Sequence, residues 1–221
     1  MRPGGIFATL AILIAFAAWT QPANAQPYRS GQEEYSYLIF RNGKELGKQH
    51  VAITRKDQTA IATIRIEMAY RLGFIKLYDY RHESREEWHA GNLRSLDSRT
   101  TENGETRFLR VVRDQDTLAI DGSAGKYASK KSAFPTTYWQ IGLLEHQTLF
   151  NTEDGTPVHV TTEKLGDARL MLDGREIRAR HFRISGDLNI ELWYSAEGTW
   201  LQSRFFIDDA EIIFQLQSLS T

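Results

Sequence analysis

The residues best suited to chemistry are the histidines and acids between positions 82 and 89. His82-Glu83 followed by His89 comes closest to a metal motif, but the zinc-protease pattern H-E-x-x-H needs a histidine at position 86, where Glu86 stands. On a strand, the odd-numbered residues 83–89 would lie on one face and the even-numbered residues 82–88 on the other. Because a third ligand is missing, we interpret the segment as a solvated strand face whose opposite charges pair across strands.

Motifs for nucleophilic or phosphate chemistry are incomplete. The chain has no G-x-S-x-G elbow. The segment 122–126 reads Gly-Ser-Ala-Gly-Lys, but a phosphate loop would need glycine at position 120 and Ser or Thr at position 127, where Ile120 and Tyr127 stand. We therefore interpret residues 122–126 as a flexible loop.

Four arginines form a basic cluster between positions 175 and 183. Arg178 and Arg180 would share a strand face and could hold an anion through paired hydrogen bonds. We favour the simpler interpretation that the cluster, which also contains Arg175 and Arg183, is a charged outer or edge face that blocks aggregation.

Aromatic residues give the clearest indication of binding. Three alternate along one predicted strand, a fourth ends that strand, and two more open the segment after Pro135. Buried Tyr and Trp side chains commonly line cavities that are open to water at one end, because their polar atoms need hydrogen-bond partners. Plain packing between sheet and helix is the alternative, since strands are rich in aromatic residues anyway. The predicted ligand-binding residues are Phe74, Tyr78, Tyr80, Trp88, Tyr138 and Trp139; we expect no cofactor and no metal.

Composition narrows the classes of protein to consider. Of 221 residues, 27 are Lys or Arg and 28 are Asp or Glu, so the formal net charge is -1 and no long-range field attracts nucleic acid. The absence of cysteine excludes disulfides, thiolate metal sites, a cysteine nucleophile and a lipid-modified N-terminal cysteine. A hydrophobic content of 41% is typical of a packed globular domain.

The first 25 residues have the three parts of a secretory signal peptide. Met1-Arg2-Pro3 is followed by an apolar run over 6–19 and by Ala23-Asn24-Ala25, a small-x-small cleavage site. An uncleaved anchor is the alternative, but the run is shorter than the ~20 residues of a membrane span. We predict cleavage after Ala25, a flexible segment 26–33, and a single domain 34–221 that is exported to the periplasm or the medium and has no transmembrane span.

From position 34 onward the sequence alternates between apolar and polar residues. Between Ala60 and Leu72 the even positions are apolar and most odd positions are polar, which is typical of a half-buried antiparallel strand. Asn-Gly and Asp-Gly pairs at 42–43, 103–104, 121–122 and 173–174 are hairpin signals. The predicted strands are about 34–41, 45–54, 59–71, 74–88, 92–101, 105–113, 116–120, 157–164, 168–172, 175–185, 188–195, 199–207 and 211–218.

One segment breaks this pattern and predicts a helix. Pro135 is acceptable in a first helical turn, and Trp139, Leu143, His146 and Phe150 recur at helical spacing. We predict one amphipathic helix over about 136–149. A sheet of more than ten strands must curl or split. The predicted fold is therefore all-β with one helix: a long antiparallel meander, curled into a barrel or half-barrel, with the helix across its opening and an apolar concave face.

Several short motifs resemble an uncharacterised family of exported bacterial proteins, domain of unknown function 6134. The motifs are Gly43–Gly47–His50, Tyr80…Glu86-Glu87-Trp88…Leu93, Thr100-Thr101-Glu102-Asn103-Gly104, Thr137-Tyr138-Trp139 and Leu192-Trp193-Tyr194…Gly198. The resemblance spans nearly the whole mature chain and brings neither an activity nor catalytic residues. The predicted architecture is also similar to open-barrel carriers of the lipoprotein-localisation type, which hold acyl chains between a curled sheet and a helical lid. A likeness of fold alone does not establish function.

Three functions remain open. The first is non-catalytic binding or carriage of a lipid or other hydrophobic or amphiphilic small molecule between sheet and helix. The second is a scaffolding protein of the cell envelope with a fully packed interior, which would bind a protein partner by strand addition. The third is a hydrolase assembled from distant strands, for which His82, Glu86 and His89 are the first candidates. We favour binding, because no catalytic constellation is complete.

Overall fold

In a computed structural model of the protein, residues 30–72, 75–130 and 133–220 are described. They form fifteen strands and one short 3-10 helix, Ile141–Glu145. The predicted signal peptide 1–25 and Phe74 lie outside the described residues. The strands are β1 (Gly31–Arg41), β2 (Lys44–Lys56), β3 (Thr59–Leu72), β4 (Ile75–His89), β5 (Asn92–Glu102), β6 (Glu105–Asp114), β7 (Thr117–Gly122), β8 (Gly125–Lys130), β9 (Phe134–Pro135), β10 (Thr148–Phe150), β11 (Pro157–Leu172), β12 (Arg175–Gly186), β13 (Ile190–Tyr194), β14 (Trp200–Ile207) and β15 (Ala210–Ser220).

Alternation and turn chemistry explain most of these strands. In β3, Ala60, Ala62 and Ile64 are at most 5% exposed, because they face the inside of the curled sheet. At the β1–β2 turn, Asn42 and Gly43 adopt φ values of 48° and 73°. A two-residue hairpin turn needs positive φ at both positions, and this pair tolerates it at low cost. The predicted all-β character is therefore confirmed.

The strands form one sheet whose order differs from a simple meander. Its order is β8-β7-β6-β5-β4-β3-β2-β1-β15-β14-β13-β12-β11-β10-β9. β1 and β15, the first and last strands of the described residues, are neighbours in the middle of the sheet, with Glu34 opposite Ser220. The two edges, β8 and β9, come from the middle of the sequence and are not joined by a strand ladder. Of the described pairings, only β9 with β10 is parallel.

The gap between the two ends of the sheet is bridged by the loop between β10 and β11. The backbone N–H of Ala124 donates to the Asp154 carbonyl over 3.1 Å, and the Tyr127 hydroxyl donates to the Gly155 carbonyl over 2.6 Å. A Cβ atom on Gly122 would clash with the backbone oxygen of Asp154, so only glycine fits there. The sheet is thus an open barrel closed by loop contacts.

The main core fills one end of this barrel. Residues of the segment 133–150 enter the interior, where the Trp88 ring lies 5.0 Å from Phe134 and 6.0 Å from Trp139 between centroids. Tyr37 stacks on Trp200 at 4.2 Å in the same cluster. This aromatic packing makes the barrel solid at that end.

A second, smaller core lies on the other face of β13 and β14. Trp193 and Leu201 alternate with residues of the main core, and they pack against Leu172 and Ala179 of the β11–β12 hairpin. The ring of His181 stacks on Trp193 at 4.3 Å. The far part of that hairpin therefore covers the outer face of the sheet.

The predicted helix over 136–149 is wrong. Only Ile141–Glu145 is helical, as a 3-10 turn, and β9 and β10 lie at either side of it. Thr136, Thr137 and Gly142 are poor helix formers. The spacing of Trp139, Leu143 and Phe150 reflects burial inside the barrel. An amphipathic helix needs one buried and one exposed face, whereas residues 133–144 are all buried or partly buried.

Smaller differences concern strand ends and turns. The strands predicted at 157–164 and 168–172 are one strand, because Gly166 takes φ 110° and absorbs a register shift without ending the strand. The Asp121-Gly122 signal misplaces its turn, since Gly122 ends β7 and the chain turns at Ser123-Ala124. Residues 122–126 therefore belong to a tight β7–β8 hairpin rather than a flexible loop. Within the described part of the chain, no helix has the length and apolar character needed to cross a membrane.

Candidate functional site

A cavity of about 380 Å³ lies inside the barrel beside the packed core. One wall is apolar and comes from Ile64, Ile66 and Met68 of β3 together with Phe205 and Phe214 of the last two strands. One end of the cavity lies near the buried core, and we call it the closed end. The other end lies among strand termini, where Ile207 is 55% exposed, so this end faces solvent and we call it the mouth.

The opposite wall is a row of polar side chains along β4. The even-numbered residues Tyr78, Tyr80, His82, Ser84 and Glu86 all line the cavity. The interpretation of residues 82–88 as a solvated face is therefore wrong, since His82, Ser84 and Glu86 are at most 4% exposed. Strand alternation placed them together, but the curl of the sheet turned that face inward.

The outer face of β4 matches the predicted pairing of charges in part. Glu83 lies 3.9 Å from Arg65 across the strand pair, as predicted, whereas Glu87 lies 3.9 Å from Arg85 of the same strand. These side chains are largely exposed, so such pairs contribute at most ~1 kcal/mol each.

Glu86 is the buried carboxyl at the closed end. Its Oε2 accepts hydrogen bonds from the indole N–H groups of Trp88, over 2.9 Å, and Trp139, over 3.0 Å. Burial raises its pKa from 4.5 to about 7, although the indoles and Thr137 act in the opposite direction. The other oxygen, Oε1, has no hydrogen-bond partner among the described residues.

His82 lies in the middle of the polar row. Its Nδ1 is 2.8 Å from Oγ1 of Thr100 on the neighbouring strand. Burial lowers its pKa from 6.5 to about 4, because the charged imidazolium would lose its hydration. The imidazole is therefore neutral at physiological pH.

The mouth carries a hydrogen-bonded group of acids, tyrosines and one arginine. The hydroxyl of Tyr80 donates to Glu153 over 2.7 Å, and that of Tyr78 donates to Glu102 over 3.1 Å. Arg107 donates to both carboxylates, over 2.7 Å to Glu153 and 2.8 Å to Glu102. Burial, followed by the nearby carboxylates, raises the pKa of both tyrosines, so their hydroxyls stay protonated donors.

Most of the predicted ligand-binding residues are at this cavity. Tyr78, Tyr80, Tyr138 and Trp139 line it. Trp88 is not part of the lining: it lies in the core behind it and is only 1% exposed. Its indole N–H donates a hydrogen bond to Glu86, which does line the cavity. Four of the five predicted residues that the structure describes therefore lie around one cavity.

Sequence reasoning missed several polar residues of the lining. Gln49 of β2 and Glu102 of β5 point inward, and Glu153 reaches the mouth from the β10–β11 loop. Alternation along β2 and β5 could have indicated the first two. Nothing in the sequence places a loop residue such as Glu153 opposite Tyr80.

The residues suggested for a hydrolase do not come together. His82 and Glu86 are four residues apart on one strand, a separation of ~13 Å between their Cα atoms. His89 lies on the outer face, where its Nδ1 is 3.3 Å from the Thr59 hydroxyl oxygen. The part of the chain that the structure describes also contains no group of three or more His, Asp or Glu residues placed to hold a metal ion.

The arginine cluster does not form an open anion site either. Arg178 donates to Asp167, Arg180 donates to the Ser195 carbonyl over 3.0 Å, and Arg183 pairs with Glu191 over 3.3 Å. Each of these three arginines donates to a partner within the protein, as expected for a charged outer face.

Comparison with known proteins identifies a family and a fold but brings no activity. Residues 37–217 match the family described as Domain of unknown function (DUF6134). A crystal structure of a beta-barrel-like protein of domain of unknown function DUF1849 from Brucella abortus is similar, with a TM-score of 0.62 and 10% identity over 87% of this chain and 98% of that chain. No curated protein matches the chain. The predicted family resemblance and the barrel-like architecture are both confirmed.

Proposed function

The chain belongs to the DUF6134 family, and we propose that this member is an exported protein that binds and carries a hydrophobic or amphiphilic small molecule without catalysing a reaction. The observation that carries the proposal is the cavity of about 380 Å³ inside the barrel. Ligand sites for small molecules typically have volumes of roughly 300–1,000 Å³.

The lining supports an amphiphile rather than a fully polar ligand. One wall consists of aliphatic and aromatic side chains, including Ile64, Ile66 and Phe214, and would bury an alkyl chain favourably. The β4 row on the other wall offers hydrogen-bond partners over the length of the cavity. A ligand with both characters would satisfy both walls.

The cavity also separates this proposal from the alternatives. A scaffold with a solid core would have no such internal space. A hydrolase would need a nucleophile and a base within hydrogen-bond reach of each other, and His82, Glu86 and His89 are not so placed.

Uptake of N-phenylnaphthylamine, a neutral dye that fluoresces in apolar surroundings, tests the binding. Purified, delipidated protein should take up the dye, and Ile66→Trp should weaken uptake by tenfold or more, because the larger side chain fills the cavity. Glu67→Trp is the matched control, since it adds the same side chain to the outer face of β3, and it should leave uptake unchanged. Failure of well-folded wild-type protein to take up the dye would contradict the proposal.

Export is tested separately by the mature N-terminus. Expression of the full chain in a Gram-negative host should yield protein in the periplasmic fraction or the medium that begins at Gln26, because the pattern over 1–25 is that of a cleaved signal peptide. Intact-mass measurement gives the answer. Protein that keeps residues 1–25 and stays in the cytoplasm would contradict export.

A further inference from the structure

We propose that the cavity selects cationic amphiphiles, that is, an alkyl chain carrying an amine or a quaternary ammonium group, over anionic ones such as fatty acids. The inference rests on the proposed binding function and names the class of its ligand. It follows from the charges, the aromatic faces and the unused hydrogen-bonding capacity of the lining.

Among the described residues that line the cavity, the side chains that can carry a full charge at neutral pH are all acidic, and none is lysine or arginine. Their carboxyl groups belong to Glu86, Glu102, Glu153 and Asp187. The only basic side chain among them is His82, which burial keeps neutral by lowering its pKa to about 4. A fatty-acid carboxylate would therefore find no cation in this lining, and repulsion would add to its desolvation cost.

Arg107 reduces the negative charge at the mouth without cancelling it. Its guanidinium bonds both Glu102 and Glu153, so two carboxylates and one cation leave a net charge of -1. These side chains are about one-third exposed or less, at 27–33%. At that depth, water screens a charge only in part.

Aromatic rings provide a second attraction for a cation at the same place. Tyr78 and Tyr80 lie side by side with their rings nearly parallel, 6.5 Å apart between centroids. Their hydroxyl groups are turned to Glu102 and Glu153. Ring faces beside carboxylates are the combination that recognises ammonium groups in other proteins.

The closed end could hold an apolar tail and also contains one carboxyl oxygen without a hydrogen-bond partner among the described residues. Ile64 and Trp139 lie there beside Glu86, whose Oε1 is buried with no hydrogen-bond partner among the described residues. Because burial raises the pKa of Glu86 to about 7, the group can be uncharged there. The ligand would thus place its alkyl chain in the closed end and its ammonium group at the mouth.

Competition against the bound dye tests the selectivity. Dodecyltrimethylammonium and dodecanoate, with matched alkyl tails and used below their micelle-forming concentrations, should differ at least tenfold in the concentration that displaces half of the dye, with the cation more effective. The difference should shrink as salt is added. Equal displacement, or stronger displacement by dodecanoate, would overturn the inference while leaving the binding proposal intact. A folded protein that takes up no dye would end both.

Variants at the mouth give opposite signs, which damage to the fold would not imitate. Glu153→Gln and, separately, Glu102→Gln should each reduce the preference for the cation about fivefold, the size expected for one partly exposed charge. Arg107→Gln should increase the preference, because it leaves both carboxylates uncompensated. Glu83→Gln removes the same charge from the outer face of β4 and should change nothing. A preference that is the same in all four variants would overturn the assignment to the mouth.

Discussion

Replacing Glu86 with glutamine should change the pH dependence of stability, because the native state holds this carboxyl in the core. Burial raises its pKa from 4.5 to about 7. The native protein therefore binds one more proton than the unfolded chain between those values, and this group's contribution to the free energy of unfolding falls as pH rises through that window. A shift of about 2.5 pH units corresponds to about 3 kcal/mol lost by pH 8.

His82 acts in the opposite direction. Burial lowers its pKa from 6.5 to about 4, so the unfolded chain binds the extra proton and stability rises with pH between those values. The two effects are of similar size and overlap between about pH 4.5 and 6.5. The wild-type protein should therefore show a shallow profile in that range, whereas Glu86→Gln should show the rise due to His82 alone.

Chemical denaturation at several pH values measures these profiles. The difference in unfolding free energy between Glu86→Gln and wild type should grow by about 3 kcal/mol from pH 4.5 to pH 8, in favour of the variant. Glu87→Gln, on the outer face of the same strand, should differ from wild type by less than ~0.5 kcal/mol at both pH values. Parallel profiles for wild type and Glu86→Gln would refute the inference that burial raises the pKa of the Glu86 carboxyl and so lowers the free energy of unfolding at high pH.

Three further changes give separate outcomes. Trp139→Phe removes one N–H donor from Glu86 and should destabilise the fold by roughly 1.5–3 kcal/mol, more at pH 8 than at pH 5, as measured by denaturation; an equal loss at both pH values would contradict the hydrogen bond's role. His82→Gln should leave the titration of Glu86 alone in this range, so the stability of the variant should rise as pH falls from 6.5 to 4.5, where the wild type changes little. A variant that loses stability over that range would be the contrary result. Gly122→Ala should lower the free energy of unfolding by more than ~1 kcal/mol, because the added Cβ would clash with a carbonyl of the β10–β11 loop. Its melting temperature should drop well below that of the control Gly31→Ala, where a Cβ meets nothing within 4 Å. Equal melting temperatures would mean that the loop does not pack tightly against β7.

The strands could be predicted because their signals are local. Alternation in β3 and the Asn-Gly turn at 42–43 each depend on neighbouring residues alone. The order of the sheet could not be predicted in the same way. Pairing of β1 with β15 joins residues from opposite ends of the chain, and hydrophobic alternation is equally compatible with many such partners.

The candidate site shows the same division between local and long-range information. Tyr78, Tyr80 and Trp139 were predicted from their residue types, because large aromatic side chains carry their own signal. Glu86 was misplaced for a physical reason: the sequence indicates that residues 82, 84 and 86 share a face, but the direction of the sheet's curl decides whether that face meets water. The position of Glu153 depends on a loop contact, which leaves no pattern in the sequence.

The position of β1 beside β15 affects how the protein is made. Among the described strands, the ribosome releases β1 first and its sheet neighbour β15 last, so one long edge of the early strands stays open until β15 has been made. A contact between such distant residues forms slowly. Termination of synthesis before β15 would thus leave a gap in the middle of the sheet rather than remove a strand from its edge. The apolar interior of both halves would then be exposed to proteases and to aggregation.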